Sequence, residues 1–96
     1  MNKQKLINEI IYFFNKEYGF NISCIVHRNI ITFGFYNIKR EIIQRIFVYQ
    51  NLHKIEFNFK KCNYNSMKDI KSFLRKEIKN IGLLNKTEAM IKDIIE

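Results

Sequence analysis

The stretch NIKREIIQRIFVYQ, residues 37–50, decides the fold. Read as a helix, Asn37 is its N-cap, and Ile38, Ile42, Ile43, Ile46 and Phe47 step at three and four residues. Read as a strand, Val48 and Tyr49 supply β-branched and aromatic character, and the segment pairs with residues 54–60. The spacing predicts a helix over 38–50. The strand is the alternative.

Upstream, Leu6, Ile7, Ile10, Ile11, Phe14 and Tyr18 recur at helical spacing, which predicts a helix over 3–17. Gly19 follows where a left-handed C-terminal cap is wanted. NISCIVH (21–27) and IITFGFY (30–36) read as strands joined by the two-residue hairpin Arg28-Asn29. In the second strand Ile31, Phe33 and Phe35 share one face, with Ile30, Thr32, Gly34 and Tyr36 on the other. Downstream, KIEFNFK (54–60) alternates, with Ile55, Phe57 and Phe59 against Glu56, Asn58 and Lys60. Ser66 and Asp69 form a variant capping box that opens a helix to about residue 80, buried through Met67, Ile70, Phe73 or Leu74, Ile78 and Ile81. Gly82 ends it, and Asn85 or Thr87 caps a short last helix carrying Ile91, Ile94 and Ile95.

The expected fold is therefore α+β, a small single domain of order α-β-β-α-β-α-α. A three-stranded sheet is packed by helices, with Ile31, Phe33, Phe35, Ile55, Phe57 and Phe59 facing them. The chain has 96 residues, no proline and three glycines, so residues 1–96 read as one compact domain with no linker. Composition excludes collagen, a disulfide scaffold, a disordered chain and a multidomain enzyme: 47% of residues are hydrophobic, 27% charged, and two are cysteines. The N-terminal apolar stretch is broken by Glu9, Asn15 and Glu17 and lacks a small-residue cleavage site. A cytoplasmic protein with reduced Cys24 and Cys62 is the expectation.

Seventeen Lys and Arg oppose 9 Asp and Glu, a formal net charge of +8. AT-rich coding, which the Ile, Asn, Lys, Phe and Tyr content suggests, would raise Glu as well as Lys. Glu has not kept pace, so the excess points to a polyanionic or acidic partner, or to solubility. Lys68, Lys71, Arg75 and Lys79 are spaced three, four and four, so they line one stripe of the 66–80 helix. Lys60 and Lys61 lie just upstream. Cations in a row repel each other, and a phosphate backbone would relieve that; a solvated helix face is the plain alternative. On the sheet face away from the helices, Ser23, Thr32, Gly34, Tyr36, Asn58 and Lys60 are expected near Glu56, with Tyr36 as a base stacker. Ile25 and Ile30 share that face, which a final helix or second subunit would also suit.

Other chemistry finds little support. Cys24, His27, His53 and Cys62 lack zinc spacing, and Cys24 and His27 fall on opposite faces of one strand, so no metal or other cofactor is expected. Asp69 and Asp93 lie in helices, and Ser23, Ser66 and Ser72 have no adjacent base, so a non-enzymatic protein is expected. As a helix-turn-helix, 66–95 would put the acidic-leaning second helix, with Glu88, Asp93 and Glu96, into the major groove.

The expected function is binding of nucleic acid or a nucleoprotein complex through Lys60, Lys61, Lys68, Lys71, Arg75 and Lys79, with Tyr36 stacking. The alternative is a phage or mobile-element inhibitor, acting as anti-CRISPR proteins do, that blocks a host defence complex through an acidic protein surface. It rests on small size and the lack of motifs. A homodimer through the last helix or the strand 54–60 is compatible with either, and no membrane partner is expected.

Overall fold

The computed structural model describes residues 2–36 and 42–81. Two helices, α1 (Lys3–Tyr18) and α2 (Met67–Ile81), bracket five strands: β1 (Ile22–His27), β2 (Ile30–Tyr36), β3 (Ile42–Tyr49), β4 (Lys54–Phe57) and β5 (Lys60–Asn63). Every strand is antiparallel to its chain neighbour, and the sheet order is β1-β2-β3-β4-β5. The α+β class stands, with the order over the described residues corrected to α-β-β-β-β-β-α and the sheet to five strands.

Local chemistry explains the helix ends. Asn2 Oδ1 accepts from the Lys5 amide at 2.8 Å, opening α1. Gly19 adopts φ +69° and closes it. The Gly19 amide donates to the Asn15 carbonyl at 3.0 Å, the bond of an αL cap, and the Phe20 amide donates to the Phe14 carbonyl at 3.2 Å. At α2 the Asp69 amide donates to Ser66 Oγ at 3.4 Å, and Asp69 Oδ2 accepts from the Asn65 amide at 2.9 Å.

The expected helix over 38–50 is overturned for its described part: 42–49 is a strand, the central one of the sheet. Ile46 and Val48 are fully buried on the helix-facing side, opposite Phe33 and Ile31. Arg45, Phe47 and Tyr49 alternate onto the other face. An apolar run of this kind satisfies both periods, and the choice is made by the β2 and β4 edges that flank it. The proposed cap at Asn37 lies outside the described residues, as does the last helix beyond residue 82.

The strand expected over 54–60 is also corrected. It stops at Phe57, turns through Asn58 and Phe59, and returns as β5. Both turn residues have positive φ, 55° and 63°, the backbone of a type I′ hairpin. Phe59, expected in the core, is instead 97% exposed at the hairpin tip. Strand 54–57 is internal, so it offers no free edge for a dimer.

Both helices lie on one face of the sheet. Leu6, Ile7, Ile10, Phe13 and Phe14 of α1 and Met67, Ile70, Leu74 and Ile78 of α2 close over Ile31, Phe33, Phe35, Ile46, Val48, Ile55 and Phe57. Phe14 is the hub, with ring centroids 4.9 Å from Phe35 and 5.1 Å from Phe13. The opposite sheet face has no helix on it among the described residues.

Candidate nucleic-acid interface

The basic stripe forms on α2, but its members are not equivalent. Arg75 Nε donates to Glu17 Oε2 of α1 at 3.0 Å, and Nη2 donates to Glu17 Oε1. Its guanidinium also sits 5.2 Å from the centroid of the Phe13 ring. Arg75 is thus a clamp between the helices, and it holds the Glu17 carboxyl below the usual carboxylate range, chiefly by hydrogen bonding. Lys68 and Lys79 are exposed and Lys71 half-buried on the same flank.

The pair Lys60 and Lys61 is split by the pleat. Lys60 is the register partner of Phe57 and turns to the helix side, where Nζ lies 3.6 Å from Glu77 Oε2. Lys61 is the partner of Glu56 and turns to the open face. Sequence alternation had put Lys60 and Asn58 on that open face; the Asn58-Phe59 turn resets the phase and exchanges them for Lys61 and the turn. Tyr36 ends β2 opposite Ile42, next to a register shift.

The open face is built from three cross-strand rows. Ser23, Gly34 and Arg45 form one. Ile25, Thr32, Phe47, Glu56 and Lys61 form the second, across all five strands. His27, Ile30, Tyr49, Lys54 and Asn63 form the third. Ile25 is 65% exposed, and Phe47 and Tyr49 are half-buried within the face. The Tyr49 hydroxyl donates to Glu56 Oε1 at 3.2 Å, which fixes both side chains. Burial, then that hydrogen bond and the carboxylate charge, raise the Tyr49 phenol and keep it a donor. At the β4–β5 end, Arg45, Phe47, Glu56, Asn58 and Phe59 line one shallow hollow.

Arg45, Phe47 and Tyr49 were not legible as site residues while 38–50 read as a helix. The available signal was the run Ile46-Phe47-Val48-Tyr49, whose β-branched and aromatic residues fit a strand.

Among the described residues no group of three or more His, Cys, Asp or Glu converges to hold a metal ion, and no helix is long and apolar enough to cross a membrane. Cys24 and Cys62 are free and half-buried, and burial raises the Cys24 thiol, which lowers its reactivity. No family model, curated protein or solved structure matches the chain.

Proposed function

We propose that this protein is a non-enzymatic module that binds nucleic acid through surface cations. The observation that carries this is where the charge sits. The described residues hold 13 of the 17 Lys and Arg but only 5 of the 9 Asp and Glu, so the +8 excess lies within the described residues. Four of those five acids have local partners: Glu17 with Arg75, Glu77 with Lys60, Glu56 with Tyr49, and Asp69 at the start of α2. Lys68, Lys76 and Lys79 on α2, and Arg45, Lys54 and Lys61 on the sheet, are exposed, and Lys71 is half-buried near Glu17. Contacts of this type neutralise phosphates and release counterions, so they position a strand without reading its sequence.

The test is fluorescence anisotropy of labelled single- and double-stranded oligonucleotides, titrated from about 50 to 200 mM salt. Affinity is expected to fall steeply along a straight log–log line, with a slope of about −0.7 to −0.9 per phosphate contacted. Charge reversal at Lys68 and Lys71, and separately at Arg45 and Lys61, apportions the effect between α2 and the sheet. No binding of any oligonucleotide at the lowest salt would overturn the reading and leave an acidic protein surface as the partner that the charge demands.

A further inference from the structure

The hairpin tip holds a residue that folding does not explain. A left-handed backbone at both positions of a two-residue turn favours Asn-Gly, because glycine has no Cβ to clash. Asn58 fits. Phe59, at φ +63°, is a bulky aromatic in a conformation that disfavours it, and it is 97% exposed, so no burial offsets the cost. Such an outlier points to a function outside the fold. Phe59 shares its hollow with Arg45 and Phe47, so the tip continues the open sheet face.

We propose that the open face is a stacking platform for single-stranded nucleic acid, with Phe47 and Phe59 against bases and Arg45 and Lys61 against phosphates. The proposal rests on the nucleic-acid reading above and names the strand type and the surface. Aromatic faces take unpaired bases of any identity, whereas a duplex hides its base faces inside the stack. Cations flank the aromatics: Arg45 is two residues before Phe47 on β3, and Lys61 is the partner of Glu56 in the Phe47 row. Glu56, the acid in this row, accepts from the Tyr49 hydroxyl and has lone pairs left for the exocyclic amino group of a base. Neither α1 nor α2 lies over this face, so a chain can cross the five strands.

The experiment uses the full chain and a labelled mixed-sequence single-stranded DNA, with its duplex as the control, at one low salt concentration. Phe59→Gly suits the turn better than the natural residue, so its urea midpoint is expected to rise, while single-strand affinity falls roughly 5- to 100-fold. Phe47→Thr keeps a β-forming residue on the strand and is expected to weaken single-strand binding by a similar factor. Duplex binding by both variants should stay within about twofold of the parent, since its phosphate contacts are untouched. Parent-like single-strand affinity in both folded variants would overturn the platform while leaving the nucleic-acid reading intact. Tighter binding of the duplex than of the single strand by the parent would also overturn it. Absence of any oligonucleotide binding by the parent would remove both proposals together.

Discussion

Arg75 shows how one side chain changes role when a partner helix arrives. On α2 alone it is one of four aligned cations. In the folded chain Glu17 receives its guanidinium through two oxygens, and the Phe13 ring lies under it. The pair is partly exposed, so its contribution is screened by solvent. It still carries a pH signature. The Glu17 carboxyl is lowered in the folded state, so the unfolded state binds the proton first as pH falls. The stabilisation is therefore complete above the ordinary carboxylate range near pH 4.5 and is lost as pH drops through the lowered folded value. Glu17→Gln should show a lower urea midpoint than the parent at pH 7, with the difference shrinking below about pH 4. An equal difference at pH 7 and pH 3 would count against the clamp.

At the scale of elements, β5 and α2 meet through an ion pair with unequal partners. Glu77 is 2% exposed, with Oε2 short of a hydrogen bond, whereas the Lys60 side chain is 55% exposed. Glu77 is buried because it lies between Leu74 and Ile78 on the inner side of α2, and Lys60 reaches in from the strand edge. Removing Lys60 alone leaves a desolvated carboxylate. Lys60→Met is expected to lower stability by about 1–2 kcal/mol, less than for a fully buried pair because solvent reaches the lysine. Adding Glu77→Leu to Lys60→Met should recover most of that loss, since an apolar pair of similar volume needs no desolvation. Chemical denaturation of the two singles and the double closes the cycle; additive losses would show that the pair does not interact. The strand β3 teaches a related lesson. Its residues keep a helical rhythm on paper, but only a strand lets Ile46 and Val48 bury while Arg45, Phe47 and Tyr49 stay together outside.

At the scale of the whole molecule the described residues form one core, and it has a centre. Phe14 touches the rings of Phe13, Phe20 and Phe35, linking α1, the following turn and the sheet. Phe14→Ala should cost about 3–5 kcal/mol, a large share of the roughly 5–15 kcal/mol that holds a small domain together. Because both helices share this core, backbone circular dichroism and tyrosine fluorescence are expected to report one coincident unfolding transition at a lower urea midpoint. Separate transitions for the two signals would mean that the sheet survives without α1. Among the described residues this one-sided core leaves the other sheet face without a helix, and it concentrates the stability of the fold away from the surface proposed to bind.

How much of this was readable in the chain follows from the range of each interaction. Helix α1, its Gly19 cap, the Arg28-Asn29 hairpin and the start of α2 depend on neighbours within a few residues, so the sequence determined them. The inward set Ile31, Phe33, Phe35, Ile55 and Phe57 followed from strand alternation alone. The basic stripe of α2 was legible as a spacing, but the capture of Arg75 by Glu17, 58 residues away, was not. Tertiary structure decided the state of residues 42–49, because pairing with β2 and β4 made them a strand. The left-handed turn at Asn58-Phe59 is local, but Phe59 carries no signal for it, so the reversed phase of Lys60 and Lys61 was hidden as well. Together they brought Arg45, Phe47, Phe59 and Lys61 to one outward face, since a strand exposes alternate residues and a turn resets which ones they are.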